Sequence, residues 1–170
     1  MDSPEAVAPR KRRKRKREKL AQYYKYKPDM PHSPSSEMPL KVMVVDDDPD
    51  IRRMLRVFFW TRGLEVAEAE NGMQALMLVK REKPDIVLLD IMMPDIDGFE
   101  VCRRLKLDPE TGSIPIVFIS ARTGKEHIEQ GLSLGADGYV TKPFDPATLL
   151  DKIVEVAGAL QVPQAANEAD

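Results

Sequence analysis

The sequence predicts an α/β domain in which a parallel five-stranded sheet is doubly wound, with helices on both faces. Three observations predict it. Short apolar runs without polar alternation occur at 42–45, 86–89 and 116–119, as strands covered on both faces require. Stretches with apolar residues at helical spacing lie between them. Cap and stop residues punctuate the chain so that the order reads βα five times over.

Taken in order, Val42-Met43-Val44-Val45 is the first strand. Asp48-Pro49 then opens a helix, with a capping carboxylate followed by proline at the first helical position. Ile51, Met54, Leu55, Phe58 and Phe59 give that helix an apolar face, and Gly63 stops it. Leu64–Ala69 is a weaker strand. Asn71 caps a second helix with Ala75, Leu76 and Val79, ended near Pro84. Ile86-Val87-Leu88-Leu89 is the third strand, and Asp97 caps a third helix carrying Val101, Leu105 and Leu107. Ile116-Val117-Phe118-Ile119 follows, then a helix over about 125–134 before Gly135. Gly138–Thr141 is a weak fifth strand. The last helix begins near Asp145-Pro146 and carries Leu149, Leu150, Ile153, Val154 and Val156. Right-handed crossovers join such units. The strand order 2-1-3-4-5 is taken from the flavodoxin-like class of these sheets, whose ligands sit at the carboxyl ends of the strands.

Charge divides the 170 residues. Residues 1–40 hold 11 Lys/Arg against 5 Asp/Glu, and the remainder holds 15 against 23. Residues 1–39 are therefore expected to be a basic, disordered arm, too rich in proline and charge to offset their ordering entropy. Residues 40–160 form the folded domain, and 161–170 a short polar tail. Leu20–Lys27 reads as one helical turn ended by Pro28. Cys102 is the only cysteine, so no intrachain disulfide forms. No secretory leader and no run of ~20 apolar residues is present, and a soluble, cytoplasmic protein without a membrane span is expected.

The chemistry lies at the carboxyl ends of the strands. The first strand ends in Asp46-Asp47-Asp48, the third in Asp90 and the fourth in Ser120, and Lys142 follows the fifth. Crowded carboxylates repel one another and call for a cation. An all-oxygen set with few protein ligands suits Mg²⁺ better than Ca²⁺. Asp48 is read as a helix cap. Asp46, Asp47 and Asp90 are read as a site, because Ser120 and Lys142 join them at the same edge.

Val44-Val45-Asp46-Asp47-Asp48, Leu88-Leu89-Asp90-Ile91-Met92-Met93-Pro94 with Asp97-Gly98, Ile119-Ser120-Ala121, and Gly135 through Phe144 resemble the motif set of bacterial response-regulator receiver domains. The likeness spans about residues 40–160. It implies a phosphorelay switch in which Asp90 accepts a phosphoryl group from a histidine kinase or phosphotransfer protein. It implies Mg²⁺ held by Asp47, Asp90 and the Met92 carbonyl, with Asp46 acting through water. Lys142 would pair with the phosphoryl oxygens, next to a cis bond to Pro143. Ser120, in place of the more frequent threonine, and Tyr139 would carry the switch. Tyr139 also reads as an ordinary half-buried aromatic. Met92 and Arg122 occupy positions where the family tunes dephosphorylation, and their bulk suggests slow decay. The surface of the fourth helix, fifth strand and fifth helix would meet a downstream protein. The domain would promote its own phosphorylation and dephosphorylation, and is not expected to be an enzyme acting on a separate substrate.

Other signals carry less. Asp95-Ile96-Asp97-Gly98 imitates a phosphatase motif, but Pro94 separates it from the strand. Thr123-Gly124-Lys125 lacks the first glycine of a phosphate loop. His32 and His127 have no ligand spacing, and Cys102 suits packing. The arm residues Arg10, Lys11, Arg12, Arg13, Lys14, Arg15, Lys16, Arg17 and Lys19 form a basic block followed by Tyr23, Tyr24 and Tyr26. That pattern fits nucleic acid or another polyanion, and makes a nucleic-acid-binding protein regulated by the receiver the alternative reading. The blander readings are a solvated tail, an arm folded back on the acidic body, or a true start at Met38. After Asp145 one helix and a short tail remain, so output is expected through protein contact or the arm.

Overall fold

A computed structural model describes residues 40–159. The expected arm, including Arg10 to Lys19, and the expected tail lie outside the described residues. The elements are β1 (Lys41–Val45), α1 (Pro49–Trp60), β2 (Glu65–Ala69), α2 (Gly72–Glu82), β3 (Ile86–Asp90), α3 (Gly98–Leu107), β4 (Ile116–Ser120), α4 (Lys125–Ser133), β5 (Gly138–Thr141) and α5 (Pro146–Ala159). All strand pairs are parallel and the sheet order is β2-β1-β3-β4-β5.

The period of two along each central strand divides the core. Met43, Val45, Val87, Leu89, Ile116 and Phe118 pack with Ala75 and Val79 of α2 and Val101, Cys102 and Leu105 of α3. Their alternates Val42, Val44, Ile86, Leu88, Val117 and Ile119 pack with Leu55 and Phe59 of α1 and Leu149 and Ile153 of α5. Each central strand is therefore apolar through its interior, over 42–45, 86–89 and 116–119, as burial on both faces demands. Strands β2 and β5 lie at the edges, where half-exposed positions tolerate polar residues. That is why their sequences gave the weaker signals.

Helix starts follow from their caps. The Asp48 carboxylate accepts from Asp50 N at 2.9 Å, Asn71 from Gln74 N at 2.8 Å and Asp97 from Glu100 N at 2.9 Å. Gly63 sits at φ +79° beyond α1. Lys83 ends α2 in the left-handed region at φ 48°, ahead of Pro84. Two positions of the expected apolar faces differ. Met54 is 42% and Leu107 70% exposed, because α1 and α3 each turn only part of that stripe toward the sheet. Among the described residues no helix is long and apolar enough to cross a membrane.

Candidate functional site

Strands β1 and β3 are neighbours, so Asp46 and Asp90 emerge side by side at the carboxyl edge. Both are buried, at 3% and 4% exposure, while Asp47 is exposed. One carboxylate oxygen from each of Asp46, Asp47 and Asp90 lies within 4.8 Å of the others. This is the acidic cluster expected from the sequence. Lys142, delivered by the loop after β5, places Nζ 2.8 Å from Asp46 Oδ2 and 3.3 Å from Asp90 Oδ2. Its own backbone N–H donates to Ser120 O at 2.8 Å, which ties the lysine to the end of β4. The Lys142–Pro143 bond is cis.

The electrostatics follow from burial and crowding. Burial and the neighbouring Asp46 charge push the Asp90 carboxyl above the ordinary aspartate range, and the Lys142 ammonium only partly opposes them. Burial pulls Lys142 down, but hydrogen bonding and charge from Asp46 and Asp90 outweigh it, and the ammonium is held above its ordinary value. One lysine facing three carboxylates leaves the cluster acidic. Its donor atoms are oxygens, as a hard divalent cation prefers. The residues present therefore fit Mg²⁺.

Hydrogen bonds fix the orientation of each group. Asp46 Oδ1 accepts from Asp48 N at 2.9 Å while Oδ2 receives Lys142, and Arg52 donates to the Asp46 carbonyl at 2.7 Å. Both oxygens of Asp46 are thus engaged by protein. Asp90 Oδ1 accepts a long bond from Met92 N at 3.4 Å, and the Met92 side chain points into solvent. Ser120 is fully buried, and its Oγ accepts from Arg122 N at 3.1 Å. Tyr139 donates its hydroxyl to Arg122 O at 2.6 Å and leans its ring on Phe118 at 6.0 Å between centroids.

Several residues of the sequence reading take structural roles. Asp48 caps α1 as expected. Asp95 accepts from Gly72 N at 3.0 Å and Met73 N at 2.8 Å, so it ties the loop after β3 to the start of α2. Gly124 caps α4, and Lys125 pairs with Glu129 in solvent. Burial pushes the Cys102 thiol up to about 11, the state of a packing residue.

Sequence reasoning missed three contributors. The Arg122 backbone joins Ser120 to Tyr139, but its residue type carries no signal for that. Arg52 grips the end of β1. At Gly98, a Cβ would overlap the Asp90 carbonyl oxygen and lie 2.8 Å from Ile91 Cα. The missing side chain lets the loop fold back and the Gly98 N–H reach Ile91 O at 2.8 Å. A glycine directly after a helix cap was the available clue.

The family described as response regulator receiver domain matches residues 42–154. The phosphate regulon transcriptional regulatory protein PhoB of Pseudomonas aeruginosa is 43% identical over 115 residues, covering 68% of this chain and 50% of that protein. Response regulator PleD of Caulobacter vibrioides is 43% identical over 116 residues, 68% of this chain and 26% of that one. Among solved structures, chemotaxis protein CheY4 of Vibrio cholerae superposes with a TM-score of 0.67 at 32% identity, over 70% of this chain and 99% of that one. The matched segment spans half or less of these two curated relatives.

Proposed function

The chain belongs to the response-regulator receiver family, and from that premise we propose a phosphorelay switch in which Asp90 is phosphorylated with Mg²⁺ bound beside it. The observation that carries this reading is the convergence of Asp46-Asp47, Asp90 and Lys142, from three distant segments of the sequence, on one edge of the sheet.

Asp47 and Asp90 would hold the ion directly with the Met92 carbonyl. Asp46, both of whose oxygens already have protein partners, would act through water. The ion supplies positive charge against the oxygens of the transferring phosphoryl group. An Asp90 oxygen attacks the phosphorus of a phosphohistidine. The P–N bond breaks, its electron pair stays on the imidazole nitrogen, and Asp90 becomes an acyl phosphate. Lys142 pairs with the phosphoryl oxygens, so its ammonium exchanges one anionic partner for another. Water later cleaves the anhydride, and no separate metabolite is turned over.

The readout starts at Ser120. Its Oγ accepts from Arg122 N, which leaves its own O–H available to donate to a phosphoryl oxygen. Movement of that loop would disturb the Arg122 carbonyl that Tyr139 holds, and release the ring toward the vacated space. The surface of α4, β5 and α5 would then change its preference for a downstream protein, as a population shift. The partners are a histidine kinase or phosphotransfer protein and that target, in the cytoplasm. Met92 and Arg122, two residues beyond Asp90 and Ser120, would flank a phosphoryl group on Asp90 and slow its loss.

The test is mass spectrometry of the chain after acetyl phosphate and Mg²⁺, with Asp90→Asn alongside. One phosphoryl group on the wild type and none on the variant is expected. Equal modification of both would reject Asp90 as the acceptor.

A further inference from the structure

Strand β2 pairs with β1 alone, so its outer edge has no strand partner among the described residues. Such an edge presents backbone N–H and C=O groups to any extended chain that reaches it. Beside it runs a groove of about 440 Å³ bordered by Lys41, Trp60, Glu65, Val66, Leu78 and Glu82. A second hollow of about 280 Å³ continues it past Val57 and the same Trp60. Trp60 is 73% exposed, a large aromatic surface left in water next to a free edge. The charged groups pair off, Lys41 with Glu82 at 3.4 Å and Glu65 at 3.6 Å, and Arg56 with Glu68 at 2.9 Å. An occupant is therefore selected by rings and backbone, not by net charge.

The point where the chain enters the fold identifies the occupant. Leu40 O accepts from Glu65 N at 2.9 Å, the first residue of β2, and Lys41 lines the groove. Leu40 thus stands at one end of this edge, and residues 1–39 precede it in the sequence. They include Tyr23, Tyr24 and Tyr26, three of the chain's four tyrosines. The twelve residues 28–39 can span up to about 40 Å, whereas five residues of strand extend only about 17 Å. A tether of that kind gives an effective concentration on the order of millimolar, so a contact with a Kd of about a millimolar or tighter is populated.

We propose that residues 20–27 of this chain dock along the β2 edge, extending the sheet and laying tyrosine rings on Trp60. Alone, the segment has enough residues for one helical turn. The edge offers it backbone partners that such a turn lacks, and tyrosine favours strands. Docking blocks edge-to-edge self-association and leaves Arg10–Lys19 available to a polyanion. It does not depend on Asp90.

Trp60 is the only tryptophan, so it reports directly. The full chain is compared with a full chain carrying Tyr23→Ser, Tyr24→Ser and Tyr26→Ser, by acrylamide quenching and amide exchange. The variant should show about twofold stronger quenching of Trp60 and about tenfold faster exchange of the outward β2 amides. Amides of β1 and β3 should be unchanged, which certifies the fold. Equal quenching and exchange in the two chains would overturn the proposal. So would β2 protection that grows with protein concentration alongside a sedimenting dimer, since a second copy would then occupy the edge.

Discussion

Replacing Asp90 with asparagine removes one charge from a crowded, buried cluster, and the structure sets the size of the effect. At an effective dielectric constant of about 20, the ammonium of Lys142 at 3.3 Å attracts Asp90 by about 5 kcal/mol. Asp46, within 4.8 Å, repels it by at least about 3.5 kcal/mol, and exposed Asp47 adds a solvent-screened share. Attraction and repulsion nearly cancel, so burial, the largest cause of the raised Asp90 value, decides the sign. Without divalent ions, Asp90→Asn should therefore stabilise the protein at pH 7 and raise its Tm. The pH dependence follows. The folded-state value of Asp90 lies above the unfolded one, so the wild type's deficit is full above the folded value. It vanishes as pH falls below the unfolded one, and the two melting curves converge in acid. Mg²⁺ at ten times its Kd should raise the wild type by about 1.4 kcal/mol and the variant by clearly less. Differential scanning calorimetry in EDTA and in Mg²⁺ measures both. A variant less stable than wild type in EDTA, or equal gains from Mg²⁺ in both chains, would refute the reasoning.

Lys142→Met should slow phosphorylation by acetyl phosphate at least about tenfold, because it removes the fixed charge facing the incoming phosphoryl oxygens. A time course of phosphoprotein mass reads it, and an unchanged rate would discard the role. Gly98→Ala should cost about 1–3 kcal/mol in urea unfolding, since the added methyl overlaps the Asp90 carbonyl and the loop must shift. An unchanged midpoint would mean the loop yields freely. Cys102, with its thiol pushed up to about 11, should resist a disulfide reagent at pH 8 until the protein is unfolded. Rapid native labelling would contradict its burial. The acyl phosphate should outlast seconds in Mg²⁺ buffer if Met92 and Arg122 shield it, and decay within seconds would remove that role.

The βα alternation was legible because its signals are local. Four apolar residues in a row, an Asp-Pro cap or a glycine stop each act within a turn or two of chain, and the three expected side-chain caps form as read. The residue types of the site were legible too, since strand ends mark the edge where ligands gather. What separates the edge strands from the central ones is burial, and burial depends on neighbours that no local window contains. Met54 and Leu107 show the same limit, because spacing places them on an apolar stripe but not against the sheet.

Sequence alone determined that three aspartates, a serine and a lysine would stand at strand ends of one parallel sheet, with a basic segment ahead of it. Only the tertiary structure decided that Lys142 lies 2.8 Å from a carboxylate 96 residues away. It also decided that the Arg122 backbone joins Ser120 to Tyr139, and that Trp60 borders an open edge. The reason is physical: periodicity and capping are written in neighbouring residues, whereas charge proximity and burial arise only when crossovers fix which strands lie side by side.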